Sequence, residues 1–334
     1  MKRILVPIMI VALLATVVLA QAQALSSPGT ARYLGMGNTG IAVSDDAGAV
    51  DYNPANLGTM NIKPSPLGPD YYQKPGELDN KLVFGQAQVT GSIDSSMSLV
   101  STNLGAYIVD EVHKKHGFAV SWRGFDQSDL LSPYGSKVES FSLGYGHNYY
   151  YTNWAWGASW SHTKTAEDYS QRLVSAAFRL PLGVQTNELN LGFQFRFPQP
   201  KTTPIKVGFV VEDLLANTGN IKYNVGVSVP VIPTLTVNAD YRDLGNSDDA
   251  VLNAGVEWRA TDKWTLRAGD ANWGRQNGLG DTFTMGVGYT QDKWRFDFAT
   301  LNLPAADWRL RAQLADPVNI VDGRQYVTTA SYEF

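Results

Sequence analysis

Beyond about residue 80 the chain alternates between apolar and polar positions with a period of two. In Lys293-Trp294-Arg295-Phe296-Asp297-Phe298 every odd position is charged and every even one aromatic. Leu191, Phe193, Phe195 and Phe197 share one face of another segment, with Gln194 and Arg196 on the other. Leu235, Val237, Ala239 and Tyr241 oppose Thr236, Asn238, Asp240 and Arg242. Side chains alternate across a strand, so each such segment predicts a strand with one apolar and one polar face. Fifteen candidates follow: 82–90, 97–109, 116–124, 138–149, 154–162, 171–180, 188–197, 204–212, 221–229, 233–242, 251–259, 263–270, 281–290, 293–300 and 326–334.

A soluble sandwich also alternates, with its apolar face inward, whereas a membrane barrel turns that face to lipid. Segments of nine or ten residues match a tilted strand crossing a bilayer. Aromatics gather at segment ends, as at Tyr149, Tyr150, Tyr151, Trp154, Trp156 and Trp160, which suits an interfacial girdle. The fold class expected is therefore all-β: a transmembrane antiparallel β-barrel spanning 81–334. Single-chain bacterial barrels hold an even number of strands, so fourteen are expected, or sixteen if Trp308 to Leu314 also spans. Ala260-Thr261-Asp262 and Gln291-Asp292 read as short periplasmic turns, and 243–250, 271–280 and 301–325 as long external loops.

The first 24 residues agree. Lys2 and Arg3 precede an uncharged apolar run, and Ala20-Gln21-Ala22 and Ala22-Gln23-Ala24 offer small-x-small sites, so 1–24 reads as a cleaved signal peptide. About 310 residues then remain for a chain delivered to the outer membrane of a Gram-negative-type bacterium. There is no cysteine, which excludes disulfides, thiolate metal sites and a lipid anchor. A net charge of −4 without a Lys/Arg cluster argues against nucleic-acid partners.

Residues 25–80 alternate little and are rich in Gly, Pro, Asp and Asn. They contain Gly35-Met36-Gly37-Asn38-Thr39-Gly40, a literal G-x-G-x-x-G, yet no βαβ unit surrounds it, so a nucleotide site is not expected. A plug making tight turns in a confined space is expected instead. Asn53-Pro54-Ala55-Asn56 is the predicted pin of that plug: Pro54 fixes its own φ, and the two Asn side chains can cap backbone groups. Asp45 and Asp46 either hold a cation, pair with lumen arginines such as Arg196 or Arg267, or serve as turn and N-cap residues.

The pattern Arg32-x-Leu34-Gly35-Met36-Gly37…Ala42…Asp45-Asp46-Ala47…Ala49-Val50…Asn53-Pro54-Ala55 resembles the opening of the FadL/OmpP1/TodX outer-membrane transporters and of the related PorV/PorQ proteins. Val207 to Leu214, and Asn253 to Trp258 with Leu266 to Gly269, resemble the PorV-like branch. The resemblance implies a fourteen-stranded barrel with an N-terminal hatch that gates small hydrophobic molecules, with Gly35, Gly37, Gly40, Asp45, Asp46, Asn53, Pro54 and Asn56 in the hatch. Its alternative implication is a barrel serving protein secretion or surface attachment, with secretion-system proteins as partners. The C-terminal strand, ending on Tyr332 and Phe334, resembles the signature read by barrel-assembly machinery. The mature chain is short for a fatty-acid transporter.

Phe125, Leu130, Leu131 and Tyr134, with Leu301, Leu303 and Trp308, are the candidates for lining an apolar ligand site, although such residues in loops also pack on a barrel rim. His113 and His116 sit in the charged stretch 110–117 without further ligands, and a solvated turn is the expectation there. His147 and His162 read as lumen hydrogen-bonding residues. No Ser/His/Asp grouping marks an enzyme, and neither a cofactor nor a metal is expected.

Overall fold

The computed structural model describes residues 30–60, 82–93, 98–109, 114–127, 135–149, 153–168, 182–199, 202–216, 221–245, 250–273, 282–302 and 324–333. Residues 1–29, with the expected signal peptide, and Leu130, Leu131, Tyr134, Leu303, Trp308 and Phe334 lie outside them. Within 30–60 are a one-turn helix α1 (Ala31–Leu34) and two 3-10 helices, η1 (Ala47–Asp51) and η2 (Pro54–Thr59). Fourteen strands follow: β1 (Leu82–Ile93), β2 (Ser98–Val109), β3 (Lys114–Gln127), β4 (Gly135–Tyr149), β5 (Trp154–Asp168), β6 (Leu182–Gln199) and β7 (Thr202–Glu212). Then come β8 (Lys222–Ile232), β9 (Leu235–Arg242), β10 (Val251–Arg259), β11 (Trp264–Trp273), β12 (Thr282–Gln291), β13 (Trp294–Asn302) and β14 (Arg324–Glu333). No described helix is long and apolar enough to cross a membrane.

Each strand pairs antiparallel with its sequence neighbours, and β1 pairs with β14, so the ring closes. Every described strand then has two partners, and fourteen described strands make up the closed ring. Candidates 171–180 and 308–314 lie outside the described residues. Connections at one end are short, with two residues between β8 and β9 and between β12 and β13. Asp292 adopts φ 54° to turn the latter. The opposite end carries the long connections, such as 169–181 and 303–323.

The wall is apolar outside and polar inside. Trp122, Phe195, Trp258, Trp264 and Phe283 are exposed, while Gln88, Asn103, Ser142, Gln194, Asn238 and Thr284 are buried on the other face. A protein folded for water would reverse this, so the outer surface is one that lipid covers. A closed ring also leaves no unpaired strand edge in the hydrocarbon. Around the short-turn end, Trp264 packs on Tyr289 and Trp294 on Tyr332, each with ring centroids 4.7 Å apart, as part of an aromatic girdle. His147 and His162 depart from the sequence reading. Both lie on the outer face: His147 contacts His116, and His162 Nδ1 lies 3.0 Å from Asn187 Oδ1. His116 itself belongs to β3, not to a turn.

The segment Thr30–Met60 packs within the ring. All of it is buried except Asp45 and Asp51, which are half-buried. Three apolar clusters seat it. Ala31 and Leu34 meet Ala299, Leu301 and Val327; Ala49, Val50 and Leu57 meet Ala119; Tyr33, Met36, Val43 and Tyr52 pack on one another. The wall makes room by omitting side chains. Gly117 pairs across strands with Gly146, Gly146 with Gly157 and Gly157 with Gly192, and Gly208–Gly226 and Gly255–Gly269 continue the belt. A Cβ at Gly157 would fall on the Pro54 carbonyl, and one at Gly255 on the Met36 carbonyl. Backbone lies against backbone around the belt, an approach only glycine allows.

Candidate functional site

The inner segment and the wall residues that hold it form the site with the most constrained chemistry. It begins with α1, which ends at Gly35. Gly37 follows with φ 68° and Asn38 with φ 62°, and the Asn38 N–H donates back to the Tyr33 carbonyl at 2.8 Å. Each glycine of the G-x-G-x-x-G match has a steric task. A Cβ at Gly35 would stand 3.0 Å from the Gly286 Cα, one at Gly37 would meet the Asp270 amide nitrogen at 2.8 Å, and one at Gly40 would enter the Tyr52 ring. The loop does present backbone N–H groups to an anion, but the anion is the wall's own. Asp240 Oδ2 accepts from the Gly40 N–H at 2.7 Å and the Ile41 N–H at 3.0 Å. Arg242 lies 3.7 Å from Asp240 and donates to the Asn38 carbonyl at 2.8 Å. Among the described residues no strand precedes this loop and no long helix follows it, so the phosphate-binding pattern is a coincidence of sequence.

Asp45 and Asp46, adjacent in sequence, do different work. Asp45 pairs with Arg32 of its own segment, not with Arg196 or Arg267. Arg32 also meets Glu257 on β10 through two contacts of 3.2 Å, Nε to Oε2 and Nη2 to Oε1. Glu257 accepts from Arg267 Nε at 2.8 Å, Arg267 Nη1 donates to Asp297 at 2.8 Å, and Arg295 Nε completes the chain to Asp297 at 2.8 Å. Charges thus alternate from Asp45 to Arg295 across β10, β11 and β13. Asp46 instead caps η1, accepting from the Gly48 N–H at 2.9 Å. Burial pushes the Asp45 carboxyl up, but Arg32 and Lys206 outweigh it and hold Asp45 below the usual range. Burial dominates at Asp46, with the Asp45 charge adding to it, so that carboxyl is raised despite Arg32. Around Arg32 burial works against the cation, and Asp45 and Glu257 more than restore it.

A second ion pair anchors the other side. Asp51, at the end of η1, accepts from Arg123 at 2.9 Å and from the Ser121 hydroxyl at 3.1 Å. The Asn-Pro-Ala-Asn turn lies between the anchors. Asn53 caps η2, accepting from the Ala55 N–H at 3.1 Å, and its Nδ2 donates to the carbonyls of Ile41 at 2.8 Å and Phe193 at 3.1 Å. Pro54 occupies the first turn of η2, where a missing N–H costs nothing. Asn56 Nδ2 donates to the same Ile41 carbonyl at 3.1 Å and to the Ser44 hydroxyl at 2.7 Å.

The eight hatch residues named from the sequence are thus gathered within one buried segment. Of the candidate ligand lining, only two residues belong to the described ones. Leu301 is buried against α1, Phe125 lies in β3, and the remainder lie outside the described residues. Asp240, Glu257 and Asp297, together with the glycine belt, were not picked out from the sequence as site residues. One signal was available: glycine recurs near the middle of successive strands, on the face otherwise carrying polar residues. Among the described residues no group of three His, Cys, Asp or Glu side chains is placed to hold a metal.

No protein-family model matches the chain, and no curated protein matches it. Solved structures do. The Pseudomonas putida toluene transporter TodX superposes with a TM-score of 0.54 at 14% identity, covering 94% of this chain and 99% of that one. A Pseudomonas aeruginosa FadL homologue gives 0.54 at 11% identity, covering 94% and 100%. A TodX monoaromatic hydrocarbon channel deltaS2 mutant gives 0.54 at 11%, covering 92% and 99%. At such identities the likeness shows the fold alone: this barrel is similar in fold to those of TodX and the FadL homologue.

Proposed function

We propose that the protein is an outer-membrane channel for small hydrophobic molecules, with Thr30–Met60 as its gate. The observation that carries this reading is the way the inner segment is held. It is enclosed by the ring yet joined to it by side-chain pairs, Arg32–Glu257, Asp51–Arg123 and the Asp240 contacts, which can exchange partners without breaking the barrel. The fold is that of structures whose names describe hydrocarbon channels. An otherwise polar inner wall also carries an apolar strip of Ala299, Leu301 and Val327, covered by Ala31 and Leu34. Displacing α1 would offer that strip to an apolar solute. The aromatic C-terminus, Tyr332 and Phe334, fits delivery by barrel-assembly machinery.

Uptake of a panel of radiolabelled hydrocarbons and long-chain fatty acids, in cells with and without the gene, tests the proposal. Faster entry of at least one class is expected. Equal entry of every compound, with the barrel verified in the outer membrane, would remove the transport reading.

A further inference from the structure

On the short-turn side of the inner segment, Arg196 and Lys206 stand directly opposite each other across β6 and β7. Both lie on the polar inner face. The next pair on that face, Gln194 and Gly208, already touches the segment. Gln194 Nε2 donates to the Ala42 carbonyl at 3.0 Å, and a Cβ at Gly208 would fall on the Ile41 carbonyl. Arg196 and Lys206 are thus the first pair beyond the segment, in the lumen that leads to the short turns.

Opposed side chains on one face of an antiparallel pair have Cβ atoms ~4.5–5.5 Å apart, and like charges there are destabilising. The neighbouring strands do not relieve the repulsion. Lys206 faces Ser228 on β8. Arg196 Nη2 donates to Asn148 Oδ1 at 2.6 Å, a neutral acceptor, and Asn148 faces Lys115 on β3. Lys115 is a third cation, buried and donating to the Met60 carbonyl. Asp45 of the inner segment acts on Lys206 as well, but it is ion-paired with Arg32. Glu257 is likewise shared among Arg32, Arg267 and Arg295. The positions Lys115, Asn148, Arg196, Lys206 and Ser228 therefore form an arc with three cations and no carboxylate.

We propose that Arg196 and Lys206 bind the carboxylate of a hydrophobic acid, so that such acids, rather than neutral hydrocarbons, are the solutes this lumen favours. A carboxylate supplies the negative charge the arc lacks and brings two oxygens. The planar guanidinium can donate to both, and the Lys206 ammonium adds donors that rotate to suit. Lying beyond the segment, the pair meets the headgroup once the segment has moved aside. The hydrophobic part of the ligand rests on the channel reading; the carboxylate is read from this pair alone.

Equilibrium dialysis of the purified full-length barrel in detergent, against radiolabelled benzoate, benzyl alcohol and acetate, is the test. Benzyl alcohol keeps the ring without the charge, and acetate keeps the carboxylate without the ring. One benzoate per barrel is expected, half-saturating at about tenfold lower concentration than either of the others. Arg196→Gln with Lys206→Gln should remove the preference. If that variant does not fold, Lys206→Gln alone should reduce it, since Lys206 makes no side-chain hydrogen bond among the described residues. Equal retention of benzoate and benzyl alcohol overturns the proposal, as does a preference that survives in a correctly folded double variant. Acetate retained as well as benzoate would mean a site for any small carboxylate, and would overturn the assignment to a hydrophobic solute. Binding is read without transport, so the two readings fail separately. Charge-blind binding with hydrocarbon uptake intact removes this site alone, whereas selective binding without uptake of any compound removes the channel alone.

Discussion

Arg32 and Glu257 face each other across the boundary between inner segment and wall, joined by two contacts of 3.2 Å. Each is also committed elsewhere, Arg32 to Asp45 and Glu257 to Arg267. Removing one member therefore leaves several partners short of charge. Breaking a buried pair in this way typically costs ~3–5 kcal/mol, and the half-buried side of this network lowers that figure. Glu257→Gln is expected to free the inner segment while sparing the ring, whose ladders it does not touch. Limited proteolysis of residues 30–60 in purified protein should accelerate, and single-channel recordings should show larger or more frequent openings. Unchanged proteolysis and conductance would mean the segment is held by packing alone.

The glycine belt makes a complementary prediction from sterics. A Cβ at Gly157 would fall on the Pro54 carbonyl and lie 2.6 Å from the Ala55 nitrogen, so the inner segment must move. Gly157→Ala should shift η2 while leaving β5 paired to β4 and β6. Overpacking of this kind costs ~1–3 kcal/mol, and all of it falls on the segment. Heat-modifiable migration on gels should remain that of a folded barrel, while a fluorophore attached in η2 reports a changed environment.

How far the sequence foretold this follows from the same contacts. Period-two alternation is local, so the faces of Leu235 to Arg242 and of Trp294 to Phe298 were readable without a structure, and the even-strand rule removed a surplus segment. The segment 30–60 stood out as an exception to alternation. Its partners were not readable, because Arg32 and Glu257 are 225 residues apart in sequence and only the folded ring brings Glu257 on β10 within reach of the Arg32 side chain. For Asp45 a cation, a lumen arginine such as Arg196 or Arg267, and a turn or N-cap position were all open. Arg32, thirteen residues away on the same segment, reached it first. His147 and His162 misled because a polar residue on a barrel strand is ordinarily placed inward, and both break that rule, whereas His116 was read as part of a turn and lies in β3.

Asp45 and Asp46 predict opposite responses to acid. The Asp45 carboxyl is held below its usual value, so its contribution to stability is present at neutral pH and is lost as pH falls through its lowered folded value. Asp46 is raised, so its ionised form weakens the fold at neutral pH and protonation relieves it. Asp45→Asn should therefore destabilise at pH 7 and become neutral in strong acid. Asp46→Asn keeps an acceptor for the Gly48 N–H and removes the buried charge, so it should be neutral or stabilising at pH 7. Denaturant midpoints of the two variants across pH 3–8 check the signs; matching slopes for both would contradict the assignment.

Gly37 has φ 68° and a wall that leaves no space for a side chain. Gly37→Ala combines a left-handed backbone penalty of roughly 1–2 kcal/mol with a collision against β10 and β11. The expected result is displacement of α1 and of the Gly40–Asp240 contacts together. Amide exchange at Gly40 and Ile41 should rise, and exchange within β3 to β5 should not.

Asn53 and Asn56 converge on one acceptor, the Ile41 carbonyl, at 2.8 and 3.1 Å. Asn53→Ala removes that bond, the bond to the Phe193 carbonyl and the cap on the Ala55 N–H; Asn56→Ala removes two bonds. Each loss should cost ~1–3 kcal/mol where it strands a buried partner. The Ile41 carbonyl keeps a donor in either single variant and loses both in the double one. The pair should accordingly be non-additive, with the double variant worse than the sum of the singles by about 0.5–3 kcal/mol. Protease sensitivity of residues 30–60 and barrel unfolding midpoints, measured for all four members of the cycle, decide it. Strict additivity would show that the two asparagines hold the segment through their other partners, Phe193 and Ser44, rather than through their common one.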